Sequence, residues 1–140
     1  MILYCDSSAL IKLYIREEGS ASVLDLFERA QEKIISVVGY AEVCSGIYRK
    51  GRLGDLTVSS QRKAVREFDR DWRAIIKVNL SGEVNRIARE LLFQHPLRAF
   101  DALHLASALY FQTKTASDIC FLSFDHRQKE AASREKLEVV

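Results

Sequence analysis

Met1-Ile2-Leu3-Tyr4-Cys5-Asp6-Ser7-Ser8-Ala9-Leu10-Ile11-Lys12-Leu13-Tyr14 opens the chain. The apolar run Met1–Cys5 has no basic region before it, which argues against a secretory signal. Because it ends at once on Asp6, it reads as a β-strand with a functional group at its tip, and Ser7 can cap a helix running to about Ile15. A strand, an acid and a helix in direct succession form the first half of a parallel β/α unit.

The alternation continues outward from there. Strand-like runs at Ile2–Cys5, Lys33–Val37, Ile75–Asn79, Ile119–Ser123 and Leu137–Val139 are bounded by polar or turn residues. Helical patterns lie between them. Ser20 caps one that reaches about Ala30, with Val23, Leu24, Leu26 and Phe27 as its apolar positions. Gly39–Lys50 is closed by Gly51, and Ser59 to about Arg73 carries Val65, Phe68 and Trp72 at helical spacing. Ser81–Gln94 stops before Pro96, Phe100–Thr113 is rich in Ala and Leu, and a short last helix begins near Asp125. Strands alternating with helices through short connections predict an α/β fold with a parallel central sheet. In such sheets the working residues sit at the carboxyl ends of the strands. That rule selects Asp6, after the first strand, and Asp125, after Phe121-Leu122-Ser123-Phe124.

A length of 140 residues predicts one domain over residues 1–140, large enough to bury about two-thirds of the surface its unfolded chain exposes. With 48% hydrophobic and 29% charged residues it is not disordered or collagen-like, and uncharged stretches such as Ile34–Ala41 are too short to span a bilayer. The expected protein is cytoplasmic, with no membrane association. The formal charge of +2 neither requires nor forbids a nucleic-acid partner. Cys5, Cys44 and Cys120 are widely spaced in apolar surroundings with no C-x-x-C, so they are expected as small buried hydrophobes rather than zinc ligands or disulfide partners.

Asp6 and Asp125 alone can each be a plain helix cap. Glu42, one turn into the apolar stretch Val37-Val38-Gly39-Tyr40-Ala41-Glu42-Val43-Cys44, is harder to explain that way. So is Asp101, at the start of the least polar helix in the chain. An acid that opens a buried helix is costly unless paired or bound to a cation. The remaining acids are interleaved with Lys and Arg and read as solvated faces; Asp69-Arg70-Asp71 belongs with them, because positions i and i+2 do not share a helix face. Two carboxylates about 4 Å apart repel by about 4 kcal/mol at an effective dielectric near 20. If Asp6, Glu42, Asp101 and Asp125 converge, they must keep protons or bind a cation, and hard oxygen donors suit Mg2+ or Mn2+. Such a site supports metal-assisted phosphoryl chemistry. No nucleophile triad competes, and Gly51-Arg52-Leu53-Gly54 lacks the context of a phosphate loop.

Four segments in order, Tyr4–Tyr14, Tyr40-Ala41-Glu42-Val43, Arg98–Leu109 and Leu122-Ser123-Phe124-Asp125, resemble a PIN-domain protein, and specifically the toxin of a VapBC-type toxin–antitoxin pair. The resemblance implies a three-layer α/β/α sandwich around a mostly parallel five-stranded sheet. It implies a Mg2+- or Mn2+-dependent endoribonuclease that leaves 5′-phosphate and 3′-hydroxyl ends, and a VapB-like antitoxin that occludes the acidic pocket. A homodimer is expected as well. Residue by residue, it makes Asp6 and Asp101 the principal metal ligands, gives Glu42 a share in binding metal or placing water, and gives Asp125 a second or weaker metal. Ser8 and Ser123 would orient carboxylates. Gln128 departs from the family, which has an apolar residue there.

His104, one turn after Asp101, is expected to be a packed, hydrogen-bonded histidine rather than a ligand, and His126 a surface residue or a phosphate contact. Lys12, Arg16, Arg49, Arg98 and Arg127 either form a basic rim for an RNA backbone or are ordinary solvated charges. Leu13, Tyr14, Leu24 and Phe27 are either core or a partner surface. The rival to catalysis is a PIN-fold module that binds RNA or a partner without turnover; members of that kind tend to have lost an acid. A receiver-like domain would need paired acids after the first strand, and a haloacid-dehalogenase-type phosphatase a second Asp at position 8, where this chain has Ser8.

Overall fold

The computed structural model describes residues 1–140, with strands β1 (Ile2–Cys5), β2 (Glu32–Ser36), β3 (Ile76–Val78), β4 (Ile119–Leu122) and β5 (Glu138–Val139). They form one five-stranded sheet of order β3-β2-β1-β4-β5, and every pairing is parallel. The chain therefore winds outward from β1 in one direction, returns, and winds out in the other. The helices are α1 (Ser7–Leu10), continued by a 3-10 turn at Ile11–Leu13, then α2 (Ser20–Arg29), α3 (Gly39–Arg52), α4 (Val58–Trp72), α5 (Gly82–Gln94), α6 (Ala99–Thr115) and α7 (His126–Arg134).

The period-2 alternation of β1 sorts its side chains into two cores. Leu3 and Cys5 join Ile35, Cys120 and Leu122 under Ala9, Leu10, Val23, Val43, Ile47, Ala64 and Phe68, from α1 to α4. Tyr4 faces the other way, with Ile34, Val78, Ile119 and Phe121, against Val84, Ala88 and Leu91 of α5, Leu105 and Ala106 of α6, and Ala131 and Ala132 of α7. The result is the expected three-layer α/β/α sandwich. Phe68 is fully buried in the first core among Tyr14, Tyr40 and Trp72, with ring centroids 5.2–5.5 Å away. Cys5 and Cys120 are buried and unpaired and Cys44 is half-buried, as expected of small hydrophobes. Leu13, Tyr14 and Phe27 pack partly buried against the first core, whereas Leu24 is exposed. No helix is long and apolar enough to cross a membrane.

Several helix ends differ from the sequence expectation, each for a local reason. Asp6, not Ser7, caps α1: it is extended (φ −76°, ψ 174°) and its carboxylate accepts from Ala9 N, which leaves the Ser7 hydroxyl free to turn elsewhere. Gly19 takes the cap position of α2 at φ +90°, a conformation that L side chains rarely adopt, while Ser20 Oγ accepts from Glu17 N instead. Helix α3 runs through Gly51 to Arg52, because the left-handed residue that turns the chain is Gly54. Thr57 caps α4, two residues before Ser59. Ser81 caps α5 as expected.

Candidate active site

In a doubly wound sheet, the strand order reverses at one place, and there the crevice at the carboxyl ends opens. Here that place lies between β1 and β4. Their register pairs Cys5 with Leu122, and Asp6 N donates to Leu122 O at 3.1 Å, which sets Asp6 beside Ser123. Ser123 Oγ donates to Asp6 Oδ2 at 2.5 Å and accepts from Asp125 N at 3.0 Å. Ser8 Oγ donates to Asp6 Oδ1 at 2.7 Å and accepts from Phe124 N at 3.1 Å. Each hydroxyl thus ties the first acid to the loop after β4. Asp6 is only 3% exposed. Burial pushes its carboxyl above the usual range, although the Ser123 and Ser8 hydroxyls, His104 and the Ala9 N–H pull the other way.

By the same alternation, Asp6 lies on the Tyr4 face of the sheet, toward α6. That helix brings Asp101 and His104, one turn apart. His104 is 1% exposed, and both its nitrogens are engaged: Nδ1 lies 2.8 Å from Tyr4 Oη, and Nε2 lies 2.6 Å from Glu42 Oε1. Tyr4 Oη accepts from Ser36 N at 2.9 Å, and Ser7 Oγ donates to Glu42 Oε1 at 2.8 Å. A buried chain therefore runs from the β2 backbone through Tyr4 and His104 to Glu42, on the first turn of α3. Burial pushes the Glu42 carboxyl up, but the hydrogen bond and charge of His104, with the Ser7 hydroxyl, outweigh it and hold the group below the usual range. His104, with both nitrogens occupied, is the packed histidine expected and has no free nitrogen for a metal.

Asp101 is different. It is half-buried, and no hydrogen-bond donor or cation touches its carboxylate; the helix meets its neighbour through the backbone, where Gln128 Nε2 donates to Asp101 O at 3.1 Å. Burial raises its pKa first, and the negative charges of Asp125, Asp6 and Glu42 raise it further, with His104 opposing. The other three predicted acids are thus within electrostatic reach of Asp101. Asp125 is at once a site neighbour and a helix cap, its Oδ1 accepting from Gln128 N at 2.9 Å.

No three His, Cys, Asp or Glu side chains are gathered closely enough to hold a metal ion among themselves. The donor set nevertheless fits Mg2+ or Mn2+, which bind through one or two carboxylates and retain water. Asp101 offers an unpartnered oxygen pair, every other acid nearby is also an oxygen donor, and a cation would remove the repulsion that raises Asp101.

Of the five predicted basic contacts, Arg16, Arg49, Arg98 and Arg127 are exposed and make no ion pair. Arg98 and Arg127 flank Asp101 and Asp125 in sequence, and Arg49 lies two turns along α3 from Glu42, on the same face. Lys12 is bound instead: its Nζ donates to Glu17 Oε1 at 3.0 Å and Glu18 O at 2.8 Å. His126 is exposed.

Sequence reasoning missed Tyr4, Ser7 and Ser36, which support Glu42, and treated Gln128 as an anomaly. Gln128 is fully buried: its Oε1 lies 3.4 Å from Ser123 Oγ while its amide holds α6. A polar residue in an apolar position was the available signal.

The PIN domain family model matches residues 3–134. Ribonuclease VapC45 of Mycobacterium tuberculosis is 36% identical over 108 residues, covering 77% of this chain and 75% of that protein. Among solved structures, Mycobacterium tuberculosis VapC20, described as a sarcin–ricin-loop-cleaving toxin, superposes with a TM-score of 0.68 at 15% identity, covering 92% of this chain and 94% of its own. VapBC2 from Rickettsia felis, bound to a promoter DNA fragment, gives 0.68 at 12% identity and covers 100% and 98% of the two chains. With the family model spanning nearly its whole length, the chain belongs to the PIN-domain family, among the VapC-type members.

Proposed function

We propose that this protein is a divalent-metal-dependent endoribonuclease, the toxin of a toxin–antitoxin pair, acting in the cytoplasm as one PIN domain. The observation that carries it is Asp101: a carboxylate without donor or counter-cation, set among three other acids in the crevice between β1 and β4. Asp6 and Asp101 are the residues to hold the Mg2+ or Mn2+, with Glu42 and Asp125 assisting. Bound there, the cation would supply charge neutralisation for a phosphodiester and acidify water.

The chain's own residues do the rest. Ser8 and Ser123 fix both oxygens of Asp6. Glu42 takes His104 and Ser7 on Oε1, so Oε2 remains to orient an attacking water. Water adds to phosphorus in line, the P–O3′ bond breaks, and the ends are a 5′-phosphate and a 3′-hydroxyl. Arg16, Arg49, Arg98 and Arg127 meet the RNA backbone around the crevice. A VapB-like antitoxin covers the acidic site, and a homodimer is the expected assembly. Exposed apolar side chains such as Leu53 (65%) and Phe93 (88%) offer area for such partners.

The test is cleavage of total RNA by the purified protein in Mg2+, Mn2+ or EDTA, beside Asp101→Asn. Discrete fragments that require both the cation and Asp101 are expected. Cleavage that survives EDTA or the substitution overturns the site. No cleavage by well-folded, antitoxin-free protein favours a PIN-fold binding module instead.

A further inference from the structure

A trough of about 680 Å3 lies between the Lys12–Leu24 segment and α4, lined among others by Lys12, Arg16, Gly19 and Lys63 and by the acids Glu17 and Glu67. Its size is that of a cavity for a small organic ligand, about 300–1,000 Å3. Two of its lining residues, Lys12 and Gly19, also seat the Phe124 side chain. Lys12 Nζ lies 4.5 Å from the Phe124 ring centroid, a cation–π contact. Gly19 approaches so closely that a Cβ there would fall 2.9 Å from the ring. The Phe124 backbone is held by Ser8, the hydroxyl that also binds Asp6. An aromatic residue fixed on three sides still leaves 46% of itself exposed, next to Asp125. Phe100, exposed just before Asp101, makes no comparable aromatic or cation–π contact.

Resting on the ribonuclease proposed above, we propose that this trough is the subsite for one unpaired RNA nucleotide beside the cleaved bond. The base stacks on Phe124 and its phosphate meets Arg16. Lys12 is paired with Glu17 and Lys63 with Glu67, so Arg16, which makes no ion pair, is the cation left for the phosphate. A base inside a duplex cannot present its face to Phe124, so the subsite selects unpaired nucleotides.

Fluorescence anisotropy with a fluorescein-labelled pool of random single-stranded RNA 12-mers, and with a 12-base-pair RNA duplex, in EDTA, tests this without cleavage. The single strands should bind the parent more tightly than the duplex. Phe124→Leu should weaken single-strand binding about ten-fold, within the range for one lost base–aromatic stack, and Phe124→Trp should restore it. Arg16→Gln should lower the salt slope of log K by about 0.7. No binding of the parent to the pool, equal binding of single strands and duplex, or a Phe124→Leu variant that binds like the parent overturns the proposal; the last result leaves the trough to a protein segment such as an antitoxin. If Phe124→Leu behaves as expected but the parent cleaves nothing in Mg2+ or Mn2+, the subsite stands and the ribonuclease fails. If the parent cleaves and Phe124→Leu keeps its KM, the reverse holds.

Discussion

Asp101 and Glu42 sit in one crevice and titrate in opposite directions. For Asp101, as for Asp6, the folded-state pKa lies above the unfolded value, so folding without metal takes up protons. The stability they contribute is fully present below about pH 4 and is lost as pH rises through the raised values. Glu42, held low, contributes stability above about pH 4.3 that is lost as pH falls through its lowered value. Thermal melts in EDTA should therefore show Asp101→Asn melting a few degrees above the parent at pH 8, on the order of 4 °C for each kcal/mol of repulsion removed, with the gain gone near pH 4. Equal melting temperatures at pH 8 would mean that Asp101 carries no such repulsion. Tyr4→Phe tests the buried chain behind Glu42. It orphans Ser36 N and His104 Nδ1 and should cost about 1–3 kcal/mol in urea unfolding, whereas a solvated hydroxyl would cost almost nothing.

The helices of this protein work mostly through their first turns. Asp6 and Asp125 cap α1 and α7, Glu42 opens α3, and Asp101 opens α6. Asp6 and Asp125, for which the sequence left capping and functional readings open, do cap their helices, and both also lie within electrostatic reach of Asp101. Period-2 and helical spacing made the elements legible, because burial on two faces demands them. The acids stood out because an ionised group at the head of an apolar helix needs an explanation. The cap exchanges at Asp6, Gly19 and Thr57 were not legible, since neighbouring hydroxyls and acids compete for the same N–H groups and tertiary partners decide. Nor was Gln128, whose buried amide makes sense only once α6 and the loop after β4 are seen to meet. Helix α4 contributes no predicted acid and serves as packing. Phe68→Ala, which empties the centre of its aromatic cluster, should cost about 3–5 kcal/mol in urea unfolding. A loss under about 1 kcal/mol would show that the cluster collapses around the gap.

At the scale of the whole molecule, a formal charge of +2 conceals an uneven arrangement: four acids gather in one crevice, while Arg16, Arg49, Arg98 and Arg127 are exposed and free of ion pairs. If Arg16, Arg49, Arg98 and Arg127 each meet one phosphate, log K for single-stranded RNA should fall against log salt with a slope of about 3, at about 0.7 per contact. A slope near zero in a salt titration of binding would place those arginines elsewhere. The sheet order has a further consequence, for the chain as it is made. β1 is the first strand to leave the ribosome, yet its second edge and its acid wait for a partner 117 residues downstream, at Ser123. Contacts this distant in sequence slow folding. A chain stopped short of β4 has an open edge on its central strand and lacks both Ser123 and Asp125. Synthesis itself therefore withholds the finished crevice, and with it the ribonuclease site proposed above, until β4 and the loop after it are made.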